Sequence, residues 1–321
     1  MGKERAFIFK SLYNLGLPRL LRILKQNTVT VLSLHRISEE RDFFYNPIKP
    51  ETFYKLIDYC NKHYTIVSFE QIRKRTKKPK LILSFDDGYY DFFDCVFPYL
   101  KNKGLPSNHN VVNACVNNNI PIWTQQLNEL FGVLKKNNII DDIDINAHSH
   151  FTGDWIKYYM DFFYYLLNVE KQYRITVMQK LTQKYDIISK SKMMSWDDIR
   201  YCAENGVEIG SHSYNHDSLI AIRNTSECEQ EIGQSIQQIS QKIDRDVKIF
   251  SCPNGQYNDI AINYLKTTQI QYVLVVKDQI NLEKSFLNDL NVFNRIHLSD
   301  NSISEEILRI ELFHSKLKRQ K

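Results

Sequence analysis

Short apolar segments recur along the chain and alternate with segments in which apolar residues follow helical spacing. Residues 29–34 and 81–85 are continuous apolar runs too short for helices, which predicts buried strands. This alternation indicates a parallel β/α architecture. Strands are predicted at 29–34, 66–67, 81–85, 108–116, 207–209, 247–250, 272–276 and 292–293. Helices are predicted at 51–62, from 68, at 88–103, from 195, at 225–243 and at 303–312.

The N-terminal residues differ from this pattern. Residues 6–24 combine apolar side chains with Lys10, Arg19 and Arg22, and Pro18 interrupts any helix there. We predict that residues 1–27 form an N-terminal helical segment. Two interpretations of its surface stay open: a helical pair packed on the edge of the domain, or a basic amphipathic surface that touches an anionic membrane through residues 6–24.

A second departure lies in the middle of the chain. Residues 122–190 show helical spacing and many aromatic residues, but no strand pattern of comparable strength. We therefore predict a mainly helical insertion at about 122–190. It would interrupt a β/α barrel domain that spans residues 28–321.

Composition excludes several classes of protein. The 321 residues carry a net charge of +5, and 43% of them are hydrophobic, which is too apolar for a disordered chain. The one dense basic run, residues 73–78, precedes a predicted strand and is interpreted as a solvated loop, so we expect no nucleic-acid partner. Six scattered cysteines indicate a reducing compartment. The first residues lack the features of a signal peptide, so we expect a cytoplasmic protein, with contact to the inner membrane face left open.

Candidate chemistry follows from where the predicted strands end. In β/α folds, ligands bind at the carboxyl ends of the strands. The residues that directly follow these strands are His35, Asp86, Asp87, His212, Pro253 and His297.

Two of these strand ends carry unusual groups. Two adjacent buried carboxylates, Asp86 and Asp87, need a cation or hydrogen-bond donors for compensation. His212 and His216 are four residues apart, which places two imidazoles on one face of a helical or turn-like segment. Two histidines and one carboxylate are a ligand set typical of catalytic Zn²⁺ or Fe²⁺ sites with open positions.

These motifs together make the chain resemble the polysaccharide deacetylases, carbohydrate esterase family 4. Residues 84–88, S-F-D-D-G, are similar to the family's T-F-D-D-G motif, with Ser in place of Thr. Residues 212–216, H-S-Y-N-H, match its H-[ST]-x-x-H motif, and residues 250–258 keep part of a third motif. The resemblance covers about residues 28–120 and 190–300.

The resemblance implies a distorted (β/α) barrel and a hydrolase that removes N-acetyl groups from an amino-sugar polysaccharide or lipid-linked glycan. It assigns Asp87, His212 and His216 to a divalent metal, with Zn²⁺ expected first and Co²⁺, Ni²⁺, Mn²⁺ or Fe²⁺ as alternatives. Asp86 is the implied general base.

Further roles follow from the same resemblance. It assigns Tyr89, Pro253 and Asn254 to substrate binding, with a backbone N–H near Tyr89 stabilising the oxyanion. A protonated histidine would donate to the leaving amine, and the sequence leaves His35 and His297 as alternatives.

The sequence also departs from the family's pattern. Ser251 stands where many members carry an arginine, two residues before the proline of the third motif. This departure keeps two other functions open. One is a glycan-binding protein that has lost catalysis, and the other is an amidohydrolase acting on peptidoglycan or on a non-sugar amide.

Overall fold

Seven parallel strands close into a barrel in the computed structural model, which describes residues 2–140, 151–277, 279–283 and 289–312. In chain order the strands are β1 (Thr28–Leu34), β2 (Thr65–Ile66), β3 (Lys80–Phe85), β4 (Ser107–Val111), β5 (Val207–Ser211), β6 (Ile249–Ser251), β7 (Tyr272–Val276), β8 (Asn281–Leu282) and β9 (Asn291–His297). The barrel runs β3, β4, β5, β6, β7, β9, β1, and the pairing of β1 with β3 closes it. The short β2 and β8 pair with β3 and β1 outside this ring. The predicted (β/α) barrel is confirmed.

The register of the strands brings their carboxyl ends to one rim. Ser33 of β1 pairs with Ser84 of β3 on one side and with His297 of β9 on the other. On the far side of the barrel, Ser211 of β5 pairs with Phe250 of β6. The residues that follow these positions therefore meet at one end of the barrel, as expected for parallel strands.

The barrel interior has an apolar end and a polar end. Inward positions recur every second residue along a strand. Ile82 of β3 and Phe293 of β9 lie in one buried apolar cluster at the lower end. Two residues further along the same strands, Ser84 and Arg295 are buried and hydrogen-bonded to other polar groups. The rim of the barrel therefore rests on a buried polar layer.

Helices cover the outside of the barrel and form the two additional segments. In chain order they are α1 (Gly2–Asn14), α2 (Leu17–Ile23), α3 (Pro50–His63), α4 (Phe97–Asn102), α5 (Asn113–Asn118), α6 (Trp123–Lys136), α7 (Trp155–Asn168), α8 (Lys171–Lys184), α9 (Trp196–Glu204), α10 (Thr225–Cys228), α11 (Gln234–Ile243), α12 (Asp259–Leu265) and α13 (Ile303–Ile310). A capping box at Ser195 and Asp198 begins α9, as the sequence indicates.

The N-terminal helices α1 and α2 pack on α13. Phe9 and Leu21 form a small buried cluster with Leu308. Pro18 occupies the first turn of α2, where its missing N–H costs nothing. The outer faces of the two helices expose apolar side chains, namely Phe7, Ile8, Leu15, Leu20, Ile23 and Leu24. Among the residues that the structure describes, no helix has both the length and the apolar composition to cross a bilayer.

The three helices α6, α7 and α8 fall within the predicted insertion and share a core of their own. Phe131, Phe162 and Met178 come from the three helices and are buried together. Residues 141–150 of the predicted insertion lie outside the described residues. The domain boundaries themselves stay a prediction.

The helix predicted from residue 68 is wrong, because residues 68–74 form turns. Ser68 Oγ accepts a hydrogen bond from the Gln71 N–H at 3.2 Å, as the capping signal requires. However, Phe69 is buried in the apolar cluster at the lower end of the barrel. The carboxylate of Glu208 also accepts a hydrogen bond from the Phe69 N–H at 2.8 Å. These tertiary contacts fix the segment as a series of turns at the end of the barrel, although its local sequence favours a helix.

The strand predicted at 108–116 is too long. β4 ends at Val111, whose carbonyl accepts from the His212 N–H at 2.9 Å. Asn113 then begins α5, and its side-chain amide donates to Gln238 at 2.7 Å. The hydrogen bond from Asn113 to a helix outside the barrel therefore turns the chain away from the sheet, although the surrounding residues are apolar.

We expect Phe162→Ala to destabilise the insertion strongly. Phe162 is fully buried among the aromatic rings of the insertion core, so truncation should lower the free energy of unfolding by about 3–5 kcal/mol. Tyr164→Ala, two residues along α7 at a half-exposed position, is the matched control and should change it by about 0.5 kcal/mol or less. Urea denaturation followed by circular dichroism measures both values, and equal losses would contradict the observed core.

Candidate metal centre and active site

The predicted site residues lie around one cavity at the rim of the barrel. The cavity has a volume of about 390 Å³. Of the nine residues singled out from the sequence, eight line it, namely His35, Asp86, Asp87, Tyr89, His212, His216, Asn254 and His297. Pro253 begins the short turn that carries Asn254 and is not among the lining residues.

The three predicted metal ligands are brought together. Asp87 Oδ1 lies 3.5 Å from His212 Nε2 and 3.7 Å from His216 Nε2. One potential ligand atom from each residue lies within 4.8 Å of the others, and all three side chains are buried. The spacing suits a single ion held between them.

The chemical state of these groups also fits a divalent cation. Asp87 Oδ1 is buried without a hydrogen-bond partner, and burial, with the neighbouring Asp86, raises the pKa of Asp87 well above its usual range. A cation would offset that buried charge. Burial lowers the pKa of His212 and of His216, which favours the neutral imidazoles that bind metals. His212 Nδ1 lies 2.8 Å from the Ser251 carbonyl, and a proton donated there leaves Nε2 as the ligand atom.

The histidine motif is held in an irregular turn. Ser213 and His216 have φ values of 64° and 61°, in the left-handed region that is unfavourable for residues with side chains. Ser213 Oγ accepts a hydrogen bond from the His216 N–H at 2.9 Å, and Glu231 accepts from the Asn215 N–H at 3.0 Å. These bonds keep both imidazoles directed to the same point.

The second carboxylate, Asp86, is paired with an arginine that sequence reasoning missed. Arg295 Nη1 lies 2.9 Å from Oδ1 and 2.8 Å from Oδ2 of Asp86. Asn110 also donates to Oδ1 at 2.8 Å. Burial by itself would raise the pKa of Asp86, but the guanidinium more than offsets it and holds the pKa well below its usual range. Asp86 is therefore ionised and fixed in orientation.

Arg295 also accounts for the serine at position 251, where the resemblance implies an arginine. Its Nη2 donates to Ser251 Oγ at 2.8 Å, so the serine side chain supports an arginine that comes from β9. A signal was present in the sequence. Arg295 is a charged residue at an inward position of an apolar strand, two residues before His297, and a buried charge needs a partner.

The two candidate proton donors lie side by side. The ring centroids of His35 and His297 are 5.2 Å apart. Burial lowers the pKa of His35 to about 4. Tyr45, which the sequence analysis did not single out, places its hydroxyl 3.2 Å from His297 Nε2.

The residues assigned to substrate binding occupy different parts of the cavity. The Tyr89 ring is buried, and the Arg36 guanidinium lies 5.3 Å from its centroid. Asn254 adopts a left-handed φ of 55° in the turn after β6. The next residue, Gly255, could not carry a side chain, because a Cβ there would lie 2.5 Å from the backbone nitrogen of Val276.

Comparison with known protein families finds a match over just under half of the chain. The polysaccharide deacetylase family model matches residues 122–273, which include both histidines predicted to bind metal. The match begins after the two aspartates at the end of β3. No curated protein sequence matches the chain.

Several solved structures share the fold of this chain. The Streptococcus pyogenes deacetylase PplD in complex with acetate is 14% identical, with a TM-score of 0.58 over 88% of this chain and 98% of its own. IcaB from Ammonifex degensii is 13% identical, with a TM-score of 0.58 over 89% and 98%. A de-N-acetylase from Aggregatibacter actinomycetemcomitans is 18% identical, with a TM-score of 0.53 over 87% and 99%. These matches confirm the predicted resemblance to the polysaccharide deacetylases and the predicted barrel fold, and they agree with the predicted class of hydrolase.

We expect Arg295→Met to destabilise the deacetylase domain because it leaves the Asp86 carboxylate buried without its counter-ion. The free energy of unfolding should fall by about 3–5 kcal/mol. Asp86→Asn combined with Arg295→Met removes both charges and should recover part of that loss. Urea denaturation of the two single variants and the double variant measures this coupling. If the effects of the two substitutions simply add, the ion pair is not the stabilising contact.

Proposed function

We propose that the chain is a metal-dependent N-deacetylase that removes acetyl groups from amino sugars in a polysaccharide or its lipid-linked precursor. The observation that carries the proposal is the joint placement of two chemically different units in one cavity. Asp87, His212 and His216 form a cation site, and the ionised Asp86 lies 3.9 Å from His212 Nε2. Two of the structural neighbours are a deacetylase and a de-N-acetylase, which supports an acetamide substrate.

The proposed reaction uses the two carboxylates differently. A divalent cation, with Zn²⁺ the first candidate, would supply a Lewis acid that polarises the acetamide carbonyl and activates water. Asp86 accepts a proton from the attacking water, and Arg295 keeps its carboxylate ionised and aimed at the centre. The hydroxyl adds to the acetyl carbon while the developing oxyanion accepts a hydrogen bond from a backbone N–H near Tyr89.

Breaking the C–N bond requires a proton on the departing nitrogen. His35 and His297 both line the cavity, and either imidazole can deliver that proton when it is charged. The contact of Tyr45 with His297 favours His297, because a hydroxyl at 3.2 Å orients the ring. The products are acetate and a free amine on the sugar.

The structure weakens the case for an inactive glycan-binding protein. That alternative rests on Ser251 at the usual arginine position and on later family motifs that are not evident in the sequence. Arg295 removes the first reason, because it provides a guanidinium beside Asp86 from another strand. An amidohydrolase that acts on peptidoglycan or on a non-sugar amide would use the same groups. Substrate preference separates it from the proposed enzyme.

The first test measures bound metal and acetate release together. His212→Ala should lose both the ion and activity on N-acetylated oligosaccharides, because it removes one of three ligands. Asp86→Asn should keep about one equivalent of metal and lose at least a hundredfold in rate, because it removes only the base. His63→Ala, a histidine on α3 away from the cavity, should change neither quantity.

Elemental analysis and an acetate assay give both readouts. Metal retained by His212→Ala would overturn the ligand set, and full activity of Asp86→Asn would overturn the base. Metal binding without acetate release from any glycan would favour a binding protein. Activity restricted to peptidoglycan fragments or simple amides would favour the other amidohydrolase.

We propose further that the N-terminal helices contact an anionic membrane surface. Leu15 and Leu20 are 80% and 62% exposed, at the end of α1 and within α2. Lys10 and Arg19 flank these apolar faces, and Glu4 is the one acidic residue between positions 2 and 27. Apolar side chains that enter the interface beside basic groups are typical of peripheral membrane helices. Such contact would suit a lipid-linked substrate, and the cytoplasmic location stays a prediction.

Replacing an exposed leucine by glutamate should weaken membrane binding. Leu15→Glu and Leu20→Glu should each reduce binding to vesicles with anionic lipid by about tenfold or more. Each variant removes a leucine that would enter the membrane and adds a negative charge that the anionic lipid repels. Ile188→Glu, at an 81% exposed isoleucine far along the chain, is the matched control. Cosedimentation measures binding, and equal losses for all three variants, or no binding by the unmodified protein, would contradict the proposal.

A further inference from the structure

The cavity has a second wall that the catalytic groups do not explain. On the side facing the barrel it is lined by the metal ligands and Asp86. The other side is formed by helices α6 and α7 of the insertion and by the loop of residues 38–48, which we call the rim loop. Its aromatic members are Phe44, Tyr45, Tyr159 and Phe163. The volume lies in the range of small-molecule binding sites and exceeds what an acetamide group alone would need.

The insertion holds the rim loop through a buried amide. Asn128 of α6 accepts a hydrogen bond from the Phe44 N–H at 2.8 Å and donates to the Tyr45 carbonyl at 3.2 Å. Asn128 is only 1% exposed, so these bonds are shielded from water. Gln125, one turn earlier, donates to Asp42 of the same loop at 3.0 Å. The backbone of the loop is therefore fixed to α6 on the side that faces the cavity.

The hydrogen bonds from Asn128 and Gln125 to the rim loop, which we call the clamp, place Phe44 beside two aromatic rings of α7. The Phe44 ring stacks on Tyr159 of α7 with centroids 4.6 Å apart and planes inclined by 26°. Tyr159 and Phe163 lie on one face of α7, with planes inclined by 22°. Phe44 remains 39% exposed. Tyr159 is buried between the other two rings, so the exposed Phe44 ring is the one that can pack against the apolar face of a pyranose. Thr124 and Gln125 add polar groups for hydroxyls.

We propose that the insertion and the rim loop form a sugar-binding wall that takes the residue next to the N-acetylated sugar being hydrolysed. The inference rests on the proposed deacetylase function and names its substrate class, an oligosaccharide of two or more N-acetylhexosamine units. The clamp also connects the wall to the proposed proton donor His297. Tyr45, fixed by Asn128, carries the hydroxyl that contacts His297. Sugar binding at the wall and the orientation of His297 therefore both depend on the rim loop.

A series of chain lengths tests the proposal. N-acetylglucosamine and its oligomers of two to five units are compared as substrates, and the corresponding glucosamine oligomers, which cannot be deacetylated, are compared as ligands by calorimetry. For Phe44→Ala in the metal-loaded full chain, we expect KM for the oligomers and Kd for the glucosamine oligomers to rise about tenfold. The effect on the monomer should be smaller. Phe7→Ala, at a 71% exposed position on α1 that does not line the cavity, is the matched control and should leave all values within about twofold.

The clamp is tested separately. Asn128→Ala should raise KM for the oligomers as Phe44→Ala does and should also lower kcat, because it releases Tyr45 from its place beside His297. Phe44→Ala should affect KM more than kcat. Bound metal, measured by elemental analysis, should be unchanged in both variants, which separates a lost wall from a misfolded centre.

Several results would overturn the sugar-binding wall. One is an equal loss for monomer and oligomers, since the wall would then contact only the reacting sugar. Another is a loss of binding confined to glycosides with an alkyl tail, which would make the wall a site for a lipid chain. Absence of acetate release with Phe44-dependent binding of the glucosamine oligomers would overturn the deacetylase function and leave the wall intact.

Discussion

The active end of this barrel depends on one buried ion pair. Two adjacent carboxylates follow β3 at its carboxyl end, and both are almost fully buried. Arg295 compensates Asp86, whereas Asp87 forms no ion pair with a lysine or arginine in the described part of the chain and faces two neutral imidazoles. This difference in partners separates the roles of two chemically identical side chains: one is a fixed anion, and the other needs an ion from solution. The surrounding polar layer stabilises the buried charges through hydrogen bonds of Ser84, Asn110 and Ser251.

The origin of this arginine differs from what the resemblance to the polysaccharide deacetylases implies. That resemblance places an arginine at position 251 on β6, whereas here the guanidinium beside Asp86 comes from β9; both strands direct alternate side chains into the same space inside the barrel. Ser251 on β6 becomes a hydrogen-bond acceptor for the arginine that enters from β9. A motif read along one strand therefore misses a function that has moved to another strand.

This explains how far the sequence could predict the structure. Apolar runs locate the barrel strands, and parallel strands end on one rim, so His35, Asp86, Asp87, His212 and His297 could be placed around one cavity. The contacts of Arg295 and Tyr45 could not be predicted, because their partners lie more than 200 residues away. The inward position of Arg295 on an apolar strand indicates that it needs a partner but not which one, and no local pattern marks Tyr45. The turns at residues 68–74 fail for a related reason: burial of Phe69 in the barrel outweighs a correct local cap.

The closure of the barrel has a consequence for the order in which the protein is made. β1 pairs with β3, which is synthesised soon afterwards, and with β9, which leaves the ribosome some 260 residues later. Until β9 arrives, the sheet is an open ribbon with exposed edges and Asp86 lacks its arginine. The nascent chain must therefore tolerate an incomplete, acid-rich cleft for most of translation. The last strand therefore supplies together the closure of the ring, the counter-ion of Asp86 and the cavity residue His297.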